Sequence, residues 1–482
     1  MDTPIIVIAI MGISGLLVSL LAISKSKVFQ RDTPFLLTTI ILLAVLGIII
    51  FGLTPFTDLT TSSSLFHNDL LASFFALTVV LVSLFVVVSS RDYIRDDPNP
   101  AIYYGLIIFS TLGMVLLAYS VDLIMIIVAW ELMGLPTYVL AGFRKNSVQS
   151  NEAAVKYFIL GAFSTGILLY AVSLIFGLTG STSLVSITSM FVNTSAFGDP
   201  LAMLALALFI AGFGLKLSIV PFHMWVPDVY QGAPTTIGAL LSAGTKKAGF
   251  VVVIRIFIIA LPFFSVNWTT AFAVLALATM TLGNVAALTQ KNIKRLLAYS
   301  SIAQAGYILI GLAVATGPVR SLALIGVLFH VFNHAIMQSS AFLAVAAVDK
   351  KTSQTNVEGY AGLWKRMPIT SVALTVALLA LAGMPPLNGF WSKLILFTAA
   401  IQGEMIWLAI AGVLNSAFSM GYYAWVIKRM YLDEPEDKSM LTRIKEPRAI
   451  ATILIIATLV ILILGIYPNP IYELAKMTVS AI

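Results

Sequence analysis

Four lysines stand several residues deep inside long apolar runs of this chain: Lys216, Lys246, Lys247 and Lys393. A lysine at mid-membrane costs at least ~2.5–3.5 kcal/mol on insertion scales, so four of them demand a use. Burial disfavours the charged form of an amine and brings its pKa toward neutrality. An amine poised there loads and releases a proton. A carboxylate beside it favours holding, and moving that carboxylate favours release. Glu131, in AWELMGLP, is placed for this modulating role. His330 and His334 are four residues apart and share one helix face. Buried lysines at intervals, with histidines and water between them, are the parts of a proton relay. Structural ion pairing is the competing reading, but one obvious carboxylate does not pair four lysines.

The remaining basic residues at the spans read differently. Lys428 and Arg429 sit at a helix end beside a basic loop and read as snorkelling anchors. Lys156 lies at a helix start, where an anchoring role and a place in the relay are both open. Arg255, four residues from the end of its run, is open between snorkelling and function. A His-x-x-x-His pair also suits zinc. His330-Val-Phe-Asn-His334 has no acidic residue between, and His67 and His223 are far off in sequence, so no metal is expected. The chain has no cysteine, which excludes disulfides, thiolate metal sites and iron–sulfur ligation by this chain.

Those lysines need elements to hold them, and the composition says which. Hydrophobic residues make up 59% of the 482 and charged residues only 10%, with a mean hydropathy of +0.99. A soluble domain is usually about one quarter charged, so the solvent of this chain is lipid. Long continuous apolar runs point to helices rather than a barrel. Fourteen runs are long enough to cross a bilayer: 4–23, 34–53, 71–89, 102–119, 123–140, 155–176, 201–221, 237–259, 268–288, 296–315, 322–348, 369–400, 405–430 and 450–466. The first reads as a span, not a removed signal peptide.

The loops test the count. Eighteen of the 28 Lys and Arg fall in the odd-numbered loops, among them Lys25, Lys27, Arg31, Arg91, Arg95, Arg144, Lys145, Lys291, Lys294 and Arg295. The even loops hold only Arg320 and the C-terminal tail only Lys476. Basic loops stay cytoplasmic, so a multi-pass protein of the cytoplasmic membrane with both termini outside is expected. The net charge of +7 is accounted for by these loops, and no nucleic acid is implied.

Two spans carry breaks beside a lysine. Lys216 precedes Pro221 in GLKLSIVPFHMWVPD, and Lys393 follows Pro385 and Pro386 in LAGMPPLNGFWSKL. Proline removes a helix hydrogen bond, and broken helices at membrane depth mark paired repeats in transporters. Spans four to eight would carry Glu131, Lys216 and Lys246; spans nine to thirteen would carry the histidines and Lys393.

Four segments are long and specific enough to compare with known proteins: ELMGLPTYVLAGFRKNSVQSNEAAVKYFILGAFSTGILLYAVSLIFGLTG from Glu131, KLSIVPFHMWVPDVYQGAPT from Lys216, QKNIKRLLAYSSIAQAGY from Gln290, and LAGMPPLNGFWSKL from Leu381. They resemble the antiporter-like subunit N of respiratory complex I, in its bacterial, mitochondrial and plastid forms, and the archaeal F420H2 dehydrogenase. The resemblance runs from about span four to span thirteen. It implies an all-α polytopic membrane protein of about fourteen helices, with two inverted five-helix repeats (spans 4–8 and 9–13) and broken helices 7 and 12. The expected parts are a three-helix segment (1–100), the first repeat (101–260), the second repeat (261–430), and a C-terminal loop and last helix (431–482). It implies a proton path through Glu131, Lys216, Lys246 and Lys393, with Lys156 also at a motif position. Many antiporter-like paralogues have a lysine where HVFNHAIMQSSAF places Gln338, which leaves His330 and His334 as bridging candidates. Adjacent helix residues point ~100° apart, and the motif position favours Lys246 over Lys247.

The resemblance also implies that the chain binds no cofactor, and that flavin and iron–sulfur clusters belong to partner subunits. Its partners would be antiporter-like subunits of the L and M type and small membrane subunits. The expected function is that of a proton-translocating membrane-arm subunit of an NADH:quinone oxidoreductase or F420H2 dehydrogenase. A multisubunit Na+/H+ antiporter subunit and an inert structural subunit are the other readings. The segments from Tyr138 to Lys156 favour the first.

Overall fold

The computed structural model describes residues 3–23, 27–53, 64–194, 198–435 and 441–482. Lys25 and Lys438 lie outside them, as do the side chains of Lys27 and Arg31. The described chain is helical, with three isolated bridge pairings and no strands. The helices run α1 Thr3–Leu20, α2 Lys27–Gly52, α3 Leu70–Tyr93, α4 Pro100–Tyr119, α5 Leu123–Ala141, α6 Val148–Thr179, α7 Leu184–Thr194, α8 Pro200–Leu217, α9 Trp225–Gly232, α10 Thr235–Ala239 and α11 Lys246–Val253. They continue with α12 Ser265–Leu288, α13 Ile293–Ala313, α14 Arg320–Thr352, α15 Leu363–Arg366, α16 Pro368–Ala382, α17 Asn388–Gln402, α18 Ile406–Tyr431, α19 Arg448–Ile466 and α20 Asn469–Ser480.

Short polar side chains start these helices at the membrane boundary. Asp69, Asp122, Ser147, Asp199 and Asn292 each accept a first-turn N–H at the starts of α3, α5, α6, α8 and α13. That satisfies donors which have no partner within the helix. Proline opens α4, α8 and α16, where its missing N–H is harmless.

Among the described residues, twelve helices are long and apolar enough to cross a membrane. The two other apolar runs are also helical, but interrupted. Run 237–259 lies on α10, a π-helical segment Leu240–Thr245, α11 and a second π-helical segment Ile254–Ala260. Run 369–400 is split into α16 and α17. Run 201–221 ends as helix at Leu217, before the proline. The Val220–Pro221 and Pro385–Pro386 bonds are cis. Four short helices, α7, α9, α15 and α20, fall outside the fourteen runs, and all are too short to cross.

The loops sort onto two faces, as their charge predicts. Lys350 pairs with Asp96, Lys365 with Glu434, and Arg295 with Asp228. The Ala449 amide donates to Asp92, and the Ile293 amide to Thr355 O. These contacts tie odd loops to odd loops. Loop seven has no basic residue, yet Asp228 puts it on the same face. On the opposite face the backbones of His67, Val121, Leu123 and Leu184 link the second, fourth and sixth loops.

Arg255 belongs to that second face. Its guanidinium donates to both carboxylate oxygens of Asp69 (2.9 and 3.0 Å) and to Ala118 O (2.8 Å). Asp69 also caps α3 through Ala72 N. This ties the end of span eight to the start of span three, so Arg255 is a clamp rather than a relay member. Burial would raise the Asp69 carboxyl, but the Arg255 guanidinium and the bonds from His67 and Ala72 hold it well below the usual carboxylate range. A depressed carboxyl contributes stability above its unfolded pKa of about 4 and loses it as pH falls further. Arg255→Met is expected to destabilise the protein by about 3 kcal/mol at neutral pH. The gap between wild type and variant, followed by thermal unfolding, is expected to shrink below pH ~4.

The middle of the molecule belongs to α14, which is buried from Ala323 to Val348. It packs on α10 and the π-helical segment of span eight from one side and on α16 and α17 from the other. A helix shared in this way is where groups of the two halves can meet.

Candidate functional site

The first break shows why a lysine stands beside it. α8 stops at Ser218, which adopts a left-handed conformation (φ 63°) and donates its amide back to Leu215 O. Carbonyls at the end of a helix are unpaired and carry the negative end of its dipole. Lys216 occupies that last turn. Protein groups satisfy the rest of the break: Trp225 Nε1 donates to Leu215 O (2.9 Å), and Val220 N to Thr279 Oγ1 (3.1 Å). Lys216 Nζ lies 3.1 Å from Glu131 Oε1, which also accepts from Thr165 Oγ1. The ammonium faces the Trp130 ring, 5.8 Å from its centroid. The lysine side chain is 7% exposed and the carboxylate 28%, so Glu131 is the end of the row nearer the surface.

Inward from Lys216 is a cavity of about 20 Å³, lined in part by Ser164, Tyr138, Tyr157 and Thr245. That is room for one water with polar partners. It leads from Lys216 to the residue before Lys246. Lys246 is buried, donates to Ser301 Oγ (3.1 Å) and lies over the Tyr230 ring at 5.4 Å. The π-helical turn ends immediately before it; such turns widen a helix and recur at functional positions. Lys247 is buried completely as well, and its Nζ has no hydrogen-bond partner. Both lysines are thus inside, on different sides of α11.

The second half begins with two stacked imidazoles on α14, His334 and His330, 6.0 Å apart. The bonds of His330 settle its proton positions. Leu381 O can only accept, so the Gln304 amide turns its NH2 to it (2.9 Å) and its Oε1 to His330 Nε2 (3.1 Å). His330 Nε2 therefore carries a hydrogen. Nδ1 faces Ser392 Oγ at 2.9 Å. In the neutral ring Nδ1 accepts the hydroxyl hydrogen. On gaining a proton it donates to Ser392 Oγ, whose own hydrogen turns to Gly389 O, 3.1 Å away. A neutral and a protonated ring would each leave every partner of His330 satisfied.

Lys393 completes the row. Its Nζ donates to Leu381 O (2.9 Å), Ala382 O (3.2 Å) and Ser416 Oγ (2.9 Å), over the Tyr307 ring at 4.4 Å. Leu381 and Ala382 form the last turn of α16, so a half-helix C-terminus faces this ammonium. Gly383 closes that turn at φ 89°, a conformation that glycine adopts without strain. Leu381 O accepts from both Gln304 and Lys393, which joins the histidine to the lysine through one carbonyl.

Glu131, Lys216, Lys246, His330, His334 and Lys393 form a series along the chain, all buried except the part-exposed Glu131. Lys156 is not part of it. It lies on the odd-loop face, 41% exposed, between Glu152 and Asp228, each at 2.6 Å. Arg429 pairs with Asp433 at the same face. The neutral partners Thr165, Ser301, Gln304, Ser392 and Ser416 were not singled out from sequence. QKNIKRLLAYSSIAQAGY contains two of them, but uncharged residues leave no anomaly in an apolar run. Among the described residues no group of three His, Cys, Asp or Glu side chains gathers to hold a metal.

The chain is similar to known proteins over most of its length. The family described as NADH:quinone oxidoreductase/Mrp antiporter, transmembrane, matches residues 120–419. The chain belongs to this family. The matched segment holds every member of the buried series. Subunit N of F420H2 dehydrogenase from Methanosarcina mazei is 40% identical over 477 residues, covering 96% of this chain and 95% of the relative. NADH-quinone oxidoreductase subunit N from Trichlorobacter lovleyi is 40% identical over 485 residues, covering 99% and 96%. A chain of respiratory complex I from Thermus thermophilus superposes with a TM-score of 0.80 at 30% identity, covering 98% and 99%. These relatives also cover the segments outside the matched range.

Proposed function

We propose that the chain is the subunit-N component of the membrane arm of a complex I-like, redox-driven proton pump. One observation carries this reading. Lys246 and Lys393 are buried against hydroxyls, carbonyls and aromatic rings, not against carboxylates. A static ion pair would cancel their charge; neutral partners leave each amine free to gain or lose a proton. The one carboxylate in the series, Glu131, stands at one end and modulates Lys216. Protons pass from the Glu131–Lys216 pair through Lys246, His334 and His330 to Lys393.

The two repeats would span 101–260 and 261–430, with 1–100 and 431–482 flanking them. The matching breaks, each closed by a left-handed residue near a lysine, support that division. The odd-loop face, with its concentration of Lys and Arg, is assigned to the cytoplasm, and both termini to the outside. With no cysteine, the chain leaves electron chemistry to partner subunits holding flavin and iron–sulfur clusters. L- and M-type antiporter-like subunits and small membrane subunits are its expected neighbours.

Lys246→Met is the direct test. In the intact complex reconstituted in vesicles, proton uptake per electron is expected to fall to under about a tenth, with assembly on native gels unchanged. Wild-type uptake is expected to persist in sodium-free buffer. Strict sodium dependence would replace this reading with the Na+/H+ antiporter.

A further inference from the structure

α16 and α19 pack together, and both begin at the odd-loop face. The stretch of chain before α19 is tied to the start of α16. The Ile444 amide donates to Arg366 O (2.9 Å), and Glu446 accepts the amides of Ile369 and Thr370 (2.9 Å each) and the Thr370 hydroxyl. These bonds fix the backbone that carries Arg443, Lys445 and Arg448. All three side chains are exposed, and all three line a cavity of about 640 Å³. Glu446 lines it too, but its carboxylate is committed to the first turn of α16. Among the described residues none of the three bases has an ion pair. The cavity therefore offers unneutralised positive charge at the membrane boundary.

A second cavity, of about 340 Å³, continues from the first. Ile369 and Ile455 line both. Farther along, it is walled by Val372 of α16 and by Leu454 and Leu459 of α19. Its one hydroxyl, on Thr458, is turned back to Leu454 O (2.7 Å), so the groove presents only hydrocarbon. From Leu454 to Leu459 a helix rises about 8 Å, which gives the groove a cross-section of about 40 Å². A helix 10 Å across needs about 80 Å². The groove suits a single extended chain, not a helix.

Charge and hydrocarbon thus adjoin in the order that a phospholipid requires. Basic pockets between transmembrane helices are where anionic headgroups bind, and Arg holds phosphate through paired N–H groups. Arg448 borders another cavity as well, with Arg91 and Arg95, but that one contains Asp32 and Asp92 and so carries less net charge.

We propose that α16 and α19 bind one anionic phospholipid of the surrounding bilayer, its phosphate among Arg443, Lys445 and Arg448 and one acyl chain in the groove below. The site lies beside the broken span, away from the lysine row, and its occupancy does not depend on proton transport.

The test uses the intact complex, stripped of lipid in detergent and titrated with phosphatidylglycerol or phosphatidylcholine, with bound lipids counted by native mass spectrometry. Wild type is expected to hold one more phosphatidylglycerol than the variant Arg443→Gln/Lys445→Gln/Arg448→Gln. It is expected to bind that molecule at least tenfold tighter than phosphatidylcholine. Ile455→Trp keeps every charge and fills the groove with a ring, so it is expected to lose the same molecule. Equal retention in wild type and the triple variant overturns the proposal. Retention in Ile455→Trp overturns it too, and displacement by inorganic phosphate would then show the bases holding a phosphate with no seat for a chain. Should neither variant assemble, a map of the wild-type complex decides. Elongated density from Arg448 into the α16–α19 groove is expected; a helix of a neighbouring subunit seated there overturns the proposal.

Discussion

Lys216→Met in the reconstituted complex is expected to lower proton uptake per electron at least tenfold, while the complex assembles normally. Methionine fills the volume of the lysine stem and removes only the ammonium. The stranded partner, Glu131, keeps its bond from Thr165 and is 28% exposed, so it is not left as a buried lone charge. That is why assembly is spared. Glu131→Gln is expected to have a smaller effect, since the amide oxygen still accepts from Thr165 and the lysine survives. The two side chains act through one 3.1 Å contact. Their double variant should therefore be no worse than Lys216→Met alone, because coupled sites do not add. Full additivity in the vesicle assay would mean that Glu131 acts on something other than Lys216.

His330 is the second residue with a large expected effect, and it separates stability from transport. His330→Leu removes the ring N–H that the buried Gln304 Oε1 accepts from. The expected loss is about 1–3 kcal/mol of stability together with a tenfold or greater loss of pumping. His330→Gln places an amide where the imidazole was. It can donate to Gln304, so thermal stability should recover in part. It does not take up a proton at any working pH, so pumping should not recover. Recovery of both would reduce His330 to a packing role.

Much of this site was legible without coordinates, because lipid makes charge conspicuous. A lysine in an apolar run is an anomaly by composition alone, which is why Lys216, Lys246, Lys247 and Lys393 stood out. The division of loops by charge foretold the two faces, and each proline motif foretold a break. Partners were less legible. Ser301, Gln304, Ser392 and Ser416 carry no charge, and their meaning depends on which helix they face. Arg255 could be read either way until Asp69, 186 positions earlier in the chain, was found against it.

The sequence by itself determined the solvent, the helical class and the residues whose charge is too costly to be idle. Each follows from local composition, since burying a charge in hydrocarbon is expensive wherever it occurs. The tertiary structure alone decided which of those charges belong together. It moved Lys156 to the surface among carboxylates, made Arg255 a clamp, and set Lys246 on Ser301 while leaving Lys247 without a hydrogen-bond partner. Those outcomes depend on how helices distant in sequence pack around α14, and spacing along one helix does not encode its neighbours.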